Sequence, residues 1–183
     1  GVDLPSLPEC VAAGDVLIGS ISVRLGVRAK VVAPTGWRLV RRDRGHSSAP
    51  LTTLTYVRVA VVSEPTSYTW KYSTKAAGIA TVASYSGVDI LAPVRSHAGA
   101  PSVRRLPQRM VTGRVRPASG DLLVALYATS GTGGITQASA MTERVDRGVG
   151  RRAHALHTEV SDGPVMSADP VAFTNILTTY DLT

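Results

Sequence analysis

Four histidines, His46, His97, His154 and His157, are the imidazoles available for metal binding or proton transfer. His154 and His157 lie three residues apart, which on a strand sends their side chains to opposite faces. They would meet only at a bulge, and His46 and His97 fall in loops, so no metal site is expected. A glycosidase needs two carboxylates about 5 to 9.5 Å apart. Glu64, Glu143 and Asp162 each fall near a strand end, but no spacing pairs them. Asp15 and Asp121 each follow a Gly and precede an apolar run, where an Asp caps a turn by accepting backbone N–H bonds. Asp43 and Asp89 could each help hold Ca²⁺ together with loop carbonyls, but no acidic loop motif surrounds either. Ser84 and Ser86 flank Tyr85 without a Gly-x-Ser-x-Gly elbow. No P-loop, dinucleotide fingerprint or zinc-finger spacing occurs. These patterns give no catalytic residue and no cofactor, so the chain is not expected to be an enzyme.

Aromatic side chains offer a different chemistry. Tyr68, Trp70 and Tyr72 alternate, which places all three on one face of a strand. Exposed, such a row stacks against sugar rings; buried, it packs a core. Thr69 and Lys71 between them look solvent-directed, which favours the core. Trp37 follows a turn and reads as an anchor at a strand start. Trp37, Tyr68, Trp70 and Tyr72 are nevertheless the candidate binding residues.

The net charge is +7, and 17 of the 20 basic residues are Arg. Such a balance favours anionic partners. Arg41, Arg42 and Arg44, Arg104 and Arg105, and Arg151 and Arg152 are candidates for an anionic-partner surface. They are scattered over strand ends and loops, so a solvated rim is the favoured reading. Nucleic acid is not the expected partner, because that role needs the clusters to converge on one face.

The elements that must position these residues are strands. The run 15–25 puts Leu17, Ile21, Val23 and Leu25 on one face, with Gly19 among them. Val16, Ile18, Ser20, Ser22 and Arg24 take the other, as in a strand running out toward solvent. Further strands are expected over 29–33, 37–42, 51–63, 68–72, 75–85, 103–116, 121–129, 140–145, 151–160 and 171–182. Pro107 confines part of 103–116 to an edge or bulge. Residues 130–134 and 161–170 read as loops. No segment holds a helical period. The expected fold is all-β: an antiparallel two-sheet β-sandwich, jelly-roll or concanavalin-like.

An internal pseudo-duplication runs through this pattern. Gly14-Asp15-Val16-Leu17 matches Gly120-Asp121-Leu122-Leu123, and Gly36-Trp37 matches Ala140-Met141. Val62-Ser63-Glu64-Pro65 matches Val160-Ser161-Asp162-Gly163-Pro164, and the offset drifts from 106 through 104 to 98 or 99 residues. The halves, about 12–89 and 118–182, are expected to interlock in one domain over 1–183, because residues 117–120 read as a turn and not as a tether.

At 183 residues and 44% hydrophobic content, the chain can bury a full core. Cys10 is the sole cysteine, which excludes an intrachain disulfide and a multi-thiolate zinc site. No apolar run approaches the ~18 residues of a spanning helix, so no membrane insertion is expected. Residues 1–8 lack a signal-peptide pattern, which leaves secretion of a longer parent open.

Gly14-Asp15-Val16-Leu17-Ile18, Pro34-Thr35-Gly36-Trp37 with Val40, Tyr85-Ser86-Gly87-Val88-Asp89 and Ser119-Gly120-Asp121-Leu122-Leu123-Val124 together resemble a β-sandwich module of phage virion proteins and large bacterial surface proteins. The similarity runs from about Ala12 to Leu182. The departure at Ala140-Met141 weakens any claim that both halves bind alike. The resemblance implies a non-enzymatic structural or adhesion module of a phage tail, fibre or capsid. It would act through subunit packing and loop-mediated surface recognition, as a homo-oligomer or with other virion proteins, on a virion and against a host surface glycan. The alternatives are a secreted carbohydrate-binding module at an extracellular or bacterial cell surface, and a polysaccharide hydrolase or lyase.

Overall fold

The computed structural model describes residues 1–4, 6–8, 10–25, 30–45, 51–100, 108–131, 134–138, 140–151, 155–165 and 174–178. These residues form strands and no helix. The first seven strands are β1 (Val2–Leu4), β2 (Val16–Val23), β3 (Val31–Val32), β4 (Arg38–Arg44), β5 (Thr52–Val59), β6 (Tyr68–Tyr72) and β7 (Gly78–Tyr85). They build two antiparallel sheets, ordered β1-β6-β3 and β4-β5-β2-β7. The next six are β8 (Gln108–Val111), β9 (Leu122–Thr129), β10 (Gly134–Thr136), β11 (Thr142–Val149), β12 (Leu156–Pro164) and β13 (Thr174–Thr178). They build two more, ordered β10-β13-β8 and β11-β12-β9. The all-β, antiparallel, sandwich-like class is therefore as the composition of the strands implies.

Sheet pairing follows from the period-2 alternation of apolar residues. Leu17, Ile21, Val23 and Leu25 turn inward with Leu54, Tyr56, Ala80 and Val82 to meet Tyr68 and Trp70 of the facing sheet. A second core gathers Ala125, Tyr127, Ile135, Ala138 and Met141. At ~25 cal/mol per Å² of apolar surface buried, a fully buried large side chain such as Trp70 contributes a few kcal/mol.

The other face of β2 corrects the sequence expectation. Ser20 and Ser22 are each only 1% exposed. They are covered because a third cluster, Val16, Ile18 and Val57, packs against Leu126 of β9, and β7 lies close to β11 and β12. The Ser22 hydroxyl is satisfied by Thr53, at 3.0 Å. A two-sided burial of this kind explains how β2 is buried along its whole length.

Boundaries differ where local contacts override alternation. The expected strand 51–63 ends at Val59: Ala60 still bonds Asp15, but the Val61 amide is taken by the Glu64 carboxylate, at 3.0 Å, and the chain turns at 62–63. The expected strand 151–160 begins at Leu156 and continues to Pro164, since β12 pairs with β9 through that whole range. Of the expected strand 103–116, residues 103–107 lie outside the described residues, and β8 occupies Gln108–Val111.

Candidate functional site

Two turns of one construction set the start of β2 and β9. Gly14 and Gly120 have φ of 90° and 86°, the left-handed region open to glycine. The Asp15 amide donates to the Ala12 carbonyl at 3.1 Å, while its carboxylate accepts from the Ala12 amide at 2.9 Å. Asp121 repeats this with Ala118, at 3.1 and 2.7 Å. The Ala118 amide bond, with help from Arg95, holds the Asp121 carboxyl below its ordinary value. Both carboxylates thus close turns.

Trp37 is seated by the turn before it. Its amide bonds the Pro34 carbonyl at 3.3 Å, and Gly36 has φ of 87°. The indole lies on Gly19, where an added Cβ would stand 3.0 Å from the ring. It meets Tyr68 and Trp70 edge-on, with centroids 5.3 and 5.2 Å away, and Trp70 in turn packs near Tyr56. Trp37 and Tyr68 are each 7% exposed and Trp70 is 0% exposed. Tyr72 packs against the same core and donates its hydroxyl to the Ala76 carbonyl at 2.8 Å. Thr69 and Lys71 point outward. Trp37, Tyr68 and Trp70 therefore line the core, out of reach of a sugar ring, and Tyr72 lies half-buried at its margin.

Beside them sits a charged knot that sequence inspection did not find. Glu64 accepts from Arg58 Nε at 2.6 Å and Nη2 at 3.0 Å, from the Val61 amide at 3.0 Å, and from the Tyr68 hydroxyl. Arg58 Nη1 reaches the Thr35 carbonyl at 3.1 Å, and its guanidinium lies 5.4 Å from the Tyr68 ring centre. Burial pushes Glu64 up, but the bonds from Arg58, Tyr68 and Val61 outweigh it and hold the carboxyl below its ordinary value. Burial, then the bond to Glu64, drives Tyr68 far above its ordinary value. The knot ties the β5–β6 connection to the Trp37 turn. The clue in the sequence was Arg58 and Glu64 at the two ends of a strand-to-turn step, too far apart in the chain for an i,i+2 rule.

A second group lies where the two sheet pairs meet. Asp162, 1% exposed, accepts from Arg144 Nε at 2.9 and 3.0 Å. Burial and then the Asp162 charge push Tyr85 well above its ordinary value. Inside the second core, Glu159 is fully buried and accepts from the Ser161 hydroxyl. Burial and then the charge of Glu159 raise Tyr127.

Of the arginine candidates, Arg41, Arg42 and Arg44 lie on β4 and Arg151 follows β11. Arg41 is paired with Asp43, and Arg42 acts on Tyr56, whose hydroxyl burial pushes above its ordinary value while the Arg42 charge partly offsets the rise. Arg44 and Arg151 are exposed at the ends of separate hairpins. Arg104, Arg105 and Arg152 lie outside the described residues, as do His46 and His154. His157 pairs with Asp146. Among the described residues no group of three His, Cys, Asp or Glu is placed to hold a metal ion. No described helix is long and apolar enough to cross a membrane.

The exposed apolar side chains form the remaining candidate. Val62 is 92% exposed and Leu91 91%, with Val61 and Ile90 each at 50%. Val16 pairs with both Val59 and Tyr85, so β5 and β7 flank β2 and end at the same level. The segments that carry Val61-Val62 and Ile90-Leu91 therefore leave the same end of the sandwich, about 10 Å apart at two strand spacings. Val61 and Val62 fall inside the expected strand 51–63. Their signal was a β-branched or aliphatic pair set directly before a Pro-containing turn.

Fold and site together define an antiparallel β-sandwich-like protein in which Trp37, Tyr68 and Trp70 are internal. Comparison with family models, with curated proteins and with solved structures gives no match to this chain.

Proposed function

We propose that the chain is a non-enzymatic structural or adhesion module that acts by packing against other protein surfaces, as in a phage tail, fibre or capsid or in a large bacterial surface protein. The observation that carries this reading is the pair of exposed apolar loop tips, Val61-Val62 and Ile90-Leu91, at one end of a rigid sandwich. Exposed apolar groups on segments that leave the same end of the sheet favour a protein contact. The Arg-rich composition supplies a polar rim of the kind that surrounds such contacts.

We further read the chain as two tandem copies of one jelly-roll-like sandwich. In the first half the chain alternates between sheets at most steps, and the order β1-β6-β3 recurs as β8-β13-β10. The order β4-β5-β2 recurs as β11-β12-β9. Trp37 and Met141 correspond: each follows a turn closed to the residue three before, and each enters its own core. In this reading the halves do not interlock strand by strand, which revises the expectation of one sandwich. They pack by matching faces.

Size-exclusion chromatography with light scattering, run beside a glycan array, tests the functional reading. A stable oligomer without sugar binding is expected. A monomer that binds sugar would move the assignment to a carbohydrate-binding module that uses a surface other than the aromatic row.

A further inference from the structure

We propose that the outer edge of β9 is an acceptor for an added antiparallel β-strand with the alternating pattern of β7. The inference rests on the correspondence of the two halves, not on the attachment role.

The first half supplies the template. There β2 is central: β5 pairs along one side and β7 along the other, residue for residue from Val16 to Val23. Its counterpart β9 pairs with β12 on one side and, among the described residues, stands at the end of its sheet. Burial records the difference. All eight residues of β2 are buried, whereas in β9 only Ala125 and Tyr127 are. Leu123, Val124, Leu126 and Ala128 are half-buried, and Leu122 is 46% exposed. Leu17, Ile18, Ser20 and Ser22 at the matching places in β2 are buried. An edge strand offers alternate N–H and C=O groups for a further ladder, and apolar residues along it favour occupancy over solvation. Strand addition to such an edge draws its affinity from main-chain bonds and its specificity from alternate side chains.

The template also states the chemistry of the occupant. On the core side of β7, Ala80 lies opposite Ile21 and Val82 opposite Gly19, and both join the first core. Shifted to the second half, these places fall beside Tyr127 and Ala125, which line the second core. A strand there needs small or β-branched apolar residues at alternate positions and no Pro. The segment Gly-Ile-Ala-Thr-Val-Ala-Ser-Tyr, as in Gly78–Tyr85, meets that pattern. The occupant is a strand of this kind from another polypeptide segment.

The test uses the full chain and a synthetic peptide with the sequence of residues 76–86, read by amide hydrogen exchange resolved to single residues. Without peptide, alternate β9 amides exchange at least about tenfold faster than the matching β2 amides. With peptide, those amides slow, and a peptide carrying Pro in place of Thr81 leaves them unchanged. The proposal is overturned if β9 is as protected as β2 in the free chain, if neither peptide acts, or if both act equally. Protection that rises with protein concentration alone would give the edge to a second copy and also overturn it. Cross-strand NOEs between Thr174 and Val111, and between Ile135 and Leu177, report separately on the tandem arrangement. Their absence defeats the correspondence itself; their presence with an unresponsive β9 defeats only the docking.

Discussion

Gly36 shows how much one position can carry. Its φ of 87° suits glycine, and an added Cβ would stand 1.6 Å from Arg58 Nη1. Gly36→Ala should therefore strain the turn and push Arg58 from the Thr35 carbonyl, costing about 2–3 kcal/mol in urea unfolding. The titrating groups give a second prediction. Glu64 is held below its ordinary 4.5, so its contribution is present above that value and fades as pH falls through the lowered one. Tyr68, Tyr85 and Tyr127 are raised above their ordinary 10.0, so the folded state keeps them protonated where the unfolded chain ionises. Stability should then fall as pH climbs beyond 10. Thermal melts across pH should show loss at both extremes, and Tyr68→Phe should remove part of the alkaline loss. At this scale the turn role of Asp15 and Asp121 was legible, because Gly-Asp before an apolar run has one common use. The Arg58–Glu64–Tyr68 knot was not, since its members meet only after β5 and β6 fold across the core.

Among the elements, β6 was readable to the residue: alternation of Tyr68, Trp70 and Tyr72 with Thr69 and Lys71 fixed both its span and its inward face. The inward face of β2 was equally plain. Its other face was misread, because Ser20 and Ser22 are polar and the cover comes from strands more than a hundred residues later in the chain. Local alternation carries no information about a distant sheet. The short strands β1 and β10 were missed for a related reason, since two or three residues cannot establish a period. The contact that buries β2 on this side yields a third prediction. Ile18→Ala removes a side chain from the cluster that contains Val16, Val57 and the neighbouring Leu126. It should cost about 2–4 kcal/mol. Calorimetry should show the loss as a lower or split transition, as the sheet pairs lose part of what joins them.

For the whole molecule, the class was legible from strand spacing, turn residues and the lack of helical period. The candidate site was not. Trp37, Tyr68 and Trp70, which could have formed a sugar platform, are core, and Val61-Val62 fall inside the expected strand 51–63. Exposure is a property of where a strand stops, and β5 stops at Val59 as the Val61 amide turns to the Glu64 carboxylate. In the proposed role the loop tips at Val62 and Leu91 pack against other protein surfaces, with sister subunits the first expected. Light scattering and circular dichroism on the wild-type chain and on a Val62→Ser, Leu91→Ser double variant test this. The wild type should be an oligomer and the variant a monomer with the same β-rich circular dichroism. A wild-type chain that stays monomeric at high concentration, or a variant that assembles as well as the wild type, would contradict it.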